Sequence, residues 1–178
     1  MAYKEIMEII VLMILINNLE NNDFEYNLMR YWTKTGNDWA YVIYGSALFI
    51  LGGEKEKQDA ILLATGGIPL SLTVSSIKYI TNRKRPTGES DRLNSSFPSG
   101  HSALAFFTAE ILSNRHPKFK IFLYIWAVGV AISRVYLQRH YPSDVIAGAL
   151  LGFLSAKLTL KYQNKILDFA KHKLKLIN

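Results

Sequence analysis

The stretch that decides the fold is Phe97-Pro98-Ser99-Gly100-His101-Ser102, which follows a polar, Arg-rich segment and opens an apolar one. The pattern predicts a helix over residues 99–112 whose N-terminus carries Ser99, Gly100 and His101. Backbone N–H groups at a helix N-terminus favour anions, and a glycine lets the backbone come close to a ligand. The stretch therefore predicts an anion-binding helix end.

Two further groups of polar residues flank this stretch at fixed spacings. Upstream, Lys78 is followed after six residues by Arg85-Pro86. Downstream, Ser133-Arg134 is followed after five residues by His140, and after three more by Asp144. Written out, the pattern is K-x6-R-P … P-S-G-H … S-R-x5-H-x3-D. We therefore interpret the three groups as parts of one site.

Composition narrows the class of protein. The chain has 178 residues, which predicts one domain, and 49% of them are hydrophobic. Its net charge of +7 is typical of a protein that binds nucleic acid, anionic lipid or a phosphorylated substrate. The absence of cysteine excludes disulfides, thiolate chemistry and Cys-based metal sites.

The apolar runs between charged loops predict an all-α, integral-membrane bundle of about six helices with an active site at one membrane face. We divide the single domain 1–178 into a first helix with an aromatic-rich interfacial segment (1–38), a core bundle (39–160) and a basic tail (161–178). The segment 52–59 is expected to be a polar loop. The predicted helices cover residues 1–19, 39–53, 60–80, 99–112, 119–136 and 144–160.

Helix order alone brings the three groups together. In an up-and-down bundle, Lys78 lies at the end of one helix and His101 at the start of the next. Arg134 ends the third helix, and His140 and Asp144 start the fourth. Ends and starts alternate, so all of these residues fall on the same face of the bundle.

The opposite face is rich in cations, which predicts that it is cytoplasmic by the positive-inside rule. The site is therefore expected outside, on the periplasmic or extracellular face, and no cleavable signal peptide is expected. The cations assigned to the cytoplasmic face are Lys55, Lys57, Arg115, Lys118, Lys120, Lys161, Lys165, Lys171, Lys173 and Lys175.

The three complete blocks, from Lys78 to Asp144, resemble the signature of the type-2 phosphatidic acid phosphatase superfamily. That superfamily includes membrane lipid phosphatases, class A bacterial acid phosphatases and vanadium haloperoxidases. The resemblance implies a phosphatase that needs neither metal nor cofactor. It implies that His140 is the nucleophile and forms a phospho-histidine, and that His101 protonates the leaving oxygen and then activates water.

The remaining site residues are given roles by the chemistry of phosphate. Its oxygens need cations and N–H donors, and an Asp four residues after the nucleophile can fix the imidazole tautomer and stabilise the cation formed on attack. Asp144 takes that last role. The expected phosphate-binding residues are Lys78, Arg85, Ser99, Gly100 and Arg134.

The first hypothesis is a multi-pass lipid phosphatase of the bacterial inner membrane, acting on a lipid phosphate or pyrophosphate, with no nucleic-acid partner. Lipid A 1-phosphate is the preferred substrate, and phosphatidylglycerol phosphate and undecaprenyl pyrophosphate are the alternatives. A soluble acid phosphatase or haloperoxidase of the same superfamily, and a binding protein with an inactive pocket, are the other two hypotheses.

Charged residues outside the assigned roles receive simpler interpretations. Lys120, Lys157 and Lys161 are expected to anchor helix ends at the membrane surface, and His116 and His172 to be satisfied polar groups. For three cations, contact with lipid head groups and a solvated face both remain open. These are Arg83, Lys84 and Arg139.

Overall fold

The computed structural model describes residues 23–89 and 91–177, so the helix predicted over residues 1–19 lies outside the described residues. The described part contains seven α-helices, a single 3-10 turn at Pro117–Phe119 and no strand, which confirms the all-α prediction. The helices are α1 (Asp23–Thr35), α2 (Asp38–Leu51), α3 (Glu54–Thr81), α4 (Gly100–Arg115), α5 (Lys120–Tyr136), α6 (Pro142–Lys161) and α7 (Gln163–His172).

Helix α4 forms the centre of the bundle and packs against α3, α5 and α6. Its inward positions are small or apolar, and α6 meets it through two glycines. A Cβ at Gly148 would collide with the carbonyl oxygen of Ser99, and one at Gly152 with that of Ala103. The two helices therefore approach at backbone distance. The buried apolar side chains of α4 are Ala103, Ala105, Phe107, Ala109 and Ile111.

Within the described residues, three helical segments are long and apolar enough to cross a membrane: Glu54–Thr81, Pro117–Tyr136 and Pro142–Lys161. Helix α2 is apolar but shorter. Large apolar side chains remain exposed on the outer surfaces of these helices, as expected where lipid rather than water covers them. Examples are Ile68, Leu72, Ile125, Leu150, Leu154 and Leu158.

The predicted loop over residues 52–59 is wrong, because α3 begins at Glu54. Glu54 and Glu56 lie in its first turn, where negative charge favours the helix N-terminus. Asp59 is fully buried and pairs with Arg115, and its second oxygen lies 2.5 Å from His116 Nε2. These contacts join the start of α3 to the end of α4, and they confirm His116 as a satisfied polar group.

The basic tail and Lys157 also differ from the prediction. The residues after 161 form helix α7, and Ala170 packs beside Ile61 in a small apolar cluster. Lys157, expected to be a membrane anchor, instead pairs with the buried carboxylate of Glu110 at 2.6 Å. A carboxylate inside an apolar bundle needs such a partner, since an unpaired buried charge is costly.

Candidate active site

The three sequence blocks converge on one cavity. Lys78, Arg85, His101, Arg134 and His140 all line it. They come from the end of α3, the loop after it, the start of α4, the end of α5 and the loop before α6. The structure thus brings together two imidazoles and three cations, as the order of the helices predicted.

Ser99 and Gly100 lie at the start of α4, and Gly100 lines the cavity. Ser99 is fully buried and caps the helix, since its Oγ accepts the backbone N–H of Ser102 at 3.4 Å. Its backbone N–H donates to the carbonyl oxygen of Asp144 at 2.9 Å. Ser99 therefore fixes the start of α4 against α6, and its contact with phosphate stays a prediction.

His140 is held by one ring nitrogen. Its Nδ1 lies 2.6 Å from the carbonyl oxygen of Ser96. A carbonyl can only accept, so Nδ1 carries the proton and Nε2 is the unprotonated nitrogen of the neutral ring. The side chain is only 2% exposed. A neutral imidazole with a free Nε2 at a cavity wall is suited to nucleophilic attack.

Asp144 lies behind His140, where it was expected to fix the imidazole tautomer, but it forms no direct hydrogen bond to the ring. Its Oδ2 is 3.8 Å from His140 Nδ1, beyond hydrogen-bond distance. The carboxylate instead accepts Ser96 Oγ–H at 2.5 Å and the Tyr141 N–H at 2.9 Å. The Ser96 carbonyl therefore sets the imidazole tautomer, and sequence reasoning missed Ser96 although it lies three residues before Ser99.

Arg83 is a second residue that sequence reasoning missed. Its Nη1 donates to Asp144 Oδ1 at 2.6 Å and to Ser143 Oγ at 2.9 Å. The guanidinium also lies 4.3 Å from the centre of the Tyr141 ring. Neither interpretation left open for Arg83 describes this ion pair. Its position two residues before Arg85, inside the first block, was the available signal.

Two of the phosphate-binding candidates are held by the loop that follows α3. Lys78 Nζ donates to the carbonyl oxygen of Ser95. Arg85 Nε donates to the carbonyl oxygen of Asn94 at 3.0 Å, and its Nη2 to Asn94 Oδ1 at 2.5 Å. Its Nη1 lies 3.3 Å from the Arg139 carbonyl oxygen. The loop thus fixes both cations before any ligand arrives.

The guanidinium of Arg134 has an N–H group that no acceptor among the described residues binds. Its Nη1 donates to Thr33 Oγ1 of α1 at 2.9 Å. Its Nε is buried and has no hydrogen-bond partner among the described residues. A buried unpaired donor is costly, and a phosphate oxygen would satisfy it.

A family comparison gives these residues their context. The family model of the PAP2 superfamily matches residues 60–168, more than half of the chain. The chain belongs to the PAP2 superfamily. The match covers α4 to α6 and most of α3, and hence every residue predicted for the site.

Individual relatives agree with this assignment. The chain is 34% identical over 101 residues to a lipid A 4'-phosphatase of Bacteroides thetaiotaomicron, covering 51% of this chain and 42% of the relative. It is 31% identical over 144 residues to an undecaprenyl-diphosphatase of Sulfolobus acidocaldarius, covering 74% and 69%. The chain thus spans less than half the length of the Bacteroides relative.

A solved structure shares the architecture. The fold matches a transmembrane PAP2-type phosphatidylglycerolphosphate phosphatase from Bacillus subtilis with a TM-score of 0.68 and 26% identity. The match covers 88% of this chain and 84% of that one. The membrane-protein prediction agrees with this likeness.

The PAP2 site keeps both imidazoles neutral. Burial, followed by the positive charges of Arg134, Lys78 and Arg85, lowers the pKa of His140 to about 4, although Asp144 opposes the shift. Burial and neighbouring positive charges lower the pKa of His101 to about 3. A bound phosphate would bring negative charge among these cations and raise the pKa of His101, which would suit the acid role predicted for it.

The lowered pKa of His140 predicts how activity depends on pH. If His140 is the nucleophile, as the sequence predicts, it must be neutral to attack, so protonation of the free enzyme should stop the reaction as the pH falls through about 4. Below that value kcat/KM should fall about tenfold per pH unit. The measurement is phosphate release over a pH series, corrected for the ionisation of the substrate. An acid limb at the ordinary histidine value of about 6.5 would contradict this environment.

Proposed function

We propose that the chain is a lipid phosphatase that hydrolyses a phosphate monoester or pyrophosphate through a phospho-histidine on His140, without a metal. The observation that carries the proposal is the orientation of His140. Its Nδ1 is bound to Ser96, and the ring lines a cavity that also holds Lys78 and two arginines. Nucleophile, acid and cations therefore share one space.

The first chemical step transfers the phosphoryl group to the protein. The cations and the N–H of Gly100 bind the non-bridging oxygens, which places phosphorus before His140 Nε2. A bond forms from Nε2 to phosphorus while the bond from phosphorus to the lipid oxygen breaks. His101, which takes up a proton when the phosphate binds, gives that proton to the leaving oxygen, so the lipid leaves as a neutral alcohol or as a lipid monophosphate.

The second step releases phosphate. His101, now neutral, accepts a proton from water as the water oxygen attacks phosphorus, and the bond to Nε2 breaks. Inorganic phosphate leaves, and His140 and His101 return to their first states. Asp144 supplies negative charge behind His140 while the imidazole is cationic.

The shape of the cavity supports a lipid substrate. Its volume is about 1560 Å³, and it continues from the cations past α2 and α3 to an apolar wall. A soluble phosphate ester would fill only the polar end. The apolar lining includes Leu48, Leu63, Leu104, Leu112 and Leu123.

A graded series at Gly45 tests whether acyl chains enter this cavity. Gly45 lines it, and a Cβ there would meet no heavy atom within 4 Å. We expect Gly45→Ala, Gly45→Val and Gly45→Leu to raise KM progressively for long-chain substrates, by about tenfold for leucine. Hydrolysis of a short, water-soluble phosphate ester is the control and should stay within about twofold. Equal losses on both substrates would contradict an acyl-chain cavity.

Among phosphorylated lipids, we propose lipid A 1-phosphate as the substrate, with phosphatidylglycerol phosphate and undecaprenyl pyrophosphate as alternatives. A Porphyromonas gingivalis relative named lipid A 1-phosphatase, 37% identical over 89 residues, supports this choice, whereas the Bacteroides relative is named for the 4'-phosphate. The exposed cations Lys84 and Arg92 lie in the loop beside the cavity and could contact such a head group. Arg83, which the sequence analysis grouped with Lys84 and Arg139, instead pairs with Asp144.

We further propose that the chain lies in a bacterial inner membrane with its site on the outer side. The support is the lysine-rich opposite end of the bundle. Arg115 no longer counts toward that charge, because it pairs with Asp59. The exposed lysines that remain in the described part include Lys55, Lys118, Lys120, Lys161 and Lys165.

The test of function is phosphate release by the detergent-purified protein in the presence of EDTA. The substrates are lipid A, phosphatidylglycerol phosphate, undecaprenyl pyrophosphate and phosphatidic acid. Preference for lipid A with loss of the 1-phosphate supports the full proposal, and comparable rates on several lipids support a broad lipid phosphatase. No release from any lipid, while a soluble ester is still cleaved, would overturn the lipid proposal. Loss of all activity in EDTA would overturn metal independence.

A further inference from the structure

Ser96 is fully buried between the nucleophile and the acidic residue behind it. Its carbonyl oxygen accepts the Nδ1–H of His140 at 2.6 Å. Its hydroxyl donates to Asp144 Oδ2 at 2.5 Å. Its backbone N–H donates to the carbonyl oxygen of Arg83 at 2.8 Å. One residue thus contacts a member of the first block and two members of the third.

The other contacts of Asp144 show why Ser96 occupies a controlling position. Oδ1 is taken by Arg83 at 2.6 Å, and Oδ2 also accepts the Tyr141 N–H at 2.9 Å. The Ser96 hydroxyl is the third donor, and it binds the oxygen that lies 3.8 Å from His140 Nδ1. The hydroxyl therefore holds that oxygen away from the imidazole.

We propose that Ser96 is a positioning residue of this reaction. Its hydroxyl holds the Asp144 carboxylate out of direct contact with His140, and its carbonyl holds the His140 imidazole, so that the position of Asp144 fixes the orientation of the ring through Ser96. This inference rests on the proposed function. In this arrangement the carboxylate attracts the cationic imidazole formed on attack across a short distance. It does not compete for the Nδ1 proton while the imidazole is neutral.

The charged groups around His140 determine how a change at Ser96 would affect protonation of the imidazole. Positive or basic groups face it from α3, the loop after α3, α4 and α5, and Asp144 faces it from α6. Those groups are Lys78, Arg85, His101 and Arg134. Among the described residues, Asp144 is the carboxylate that acts on His140, while Asp38 lines the same cavity farther away and acts on Lys78. Freeing Oδ2 of Asp144 to bind Nδ1 would therefore favour the protonated ring.

The experiment is a double-mutant cycle on Ser96→Ala and Asp144→Asn. Ser96→Ala keeps the carbonyl and removes the hydroxyl, and should lower kcat/KM about ten- to hundredfold. In the Asp144→Asn background the same change should cost less than about twofold, because the hydroxyl acts through the carboxylate. Ser113→Ala, a buried serine of α4 distant from the site, is the matched control and should keep wild-type activity.

The pH profile separates positioning from simple loosening of the fold. In Ser96→Ala the acid limb of kcat/KM should move to higher pH, because the released carboxylate raises the pKa of His140. A structural defect alone would lower kcat/KM at every pH and leave the limb in place. A thermal unfolding curve for each variant identifies any that fails to fold.

The outcomes distinguish this inference from the proposed function. A shifted limb together with the non-additive cycle supports the role of Ser96. Multiplicative losses with an unmoved limb, or wild-type activity in Ser96→Ala, would overturn it while the proposed function stands. Wild-type turnover in His140→Ala would instead overturn the proposed function, and the inference with it.

Discussion

Replacing His140 by alanine is expected to reduce kcat/KM by about five to six orders of magnitude. The variant keeps the cations and His101, so lipid phosphate should still bind. It lacks the only imidazole that the structure places with Nδ1 bound and Nε2 free at the cavity. Without the nucleophile no phosphoryl-protein bond can form, and direct attack by water has no base in the right place.

The measurement is phosphate release with the preferred lipid, alongside a binding assay for the same lipid. His172→Ala is the matched control, because His172 is exposed and its Nδ1 only meets the carbonyl oxygen of Asp168 in its own helix. The control should match the wild type in rate and unfolding temperature. Turnover within about tenfold of wild type in His140→Ala would exclude this residue as the nucleophile.

The second large effect is expected at His101, where alanine should lower kcat/KM about 10²- to 10⁴-fold on lipid substrates. An alkoxide is a poor leaving group and needs the proton that His101 supplies. A nitrophenolate leaves readily without one. The loss should therefore be much smaller for a nitrophenyl phosphate, provided that formation of the phospho-histidine is measured by its initial burst.

This dependence on the leaving group distinguishes acid catalysis from a defect in binding. A defect in binding the phosphate group, which both substrates share, would reduce the rates on lipid and on nitrophenyl phosphate by similar factors. Equal losses in the burst with both substrates would therefore contradict the assignment of His101 as the acid. Gly45→Leu, which is expected to raise KM for lipids only, is the control for a lipid-selective loss: its kcat on lipid should stay near the wild-type value, whereas His101→Ala should lower kcat.

The sequence predicted the convergence of the site because helix order is a strong constraint. Lys78, Arg134 and His140 lie at helix ends, and an up-and-down bundle with short loops leaves little freedom in where those ends meet. Gly148 and Gly152 are four residues apart, a spacing of small residues that favours the backbone contact of α6 with α4.

The errors arose where side-chain partners, rather than periodicity, decide the structure. Residues 54–59 are polar, but Asp59 finds Arg115 and His116 across the bundle, so the helix starts early. Arg83 and Ser96 gave no periodic signal, because both lie in the irregular segment between α3 and α4 and their partners come from the third block. Spacing placed Asp144 beside His140, yet it could not show that the Ser96 carbonyl stands between them.

The central claim is that phosphate passes through His140, and trapping the intermediate tests it most directly. The protein is mixed with a lipid carrying radiolabelled phosphate and quenched in base within milliseconds, since a phospho-histidine survives base and is lost in acid. Peptide mapping should place the label on the peptide that contains His140, and the label should be absent from His140→Ala. Full turnover with no trapped label, or label on another residue, would contradict the mechanism.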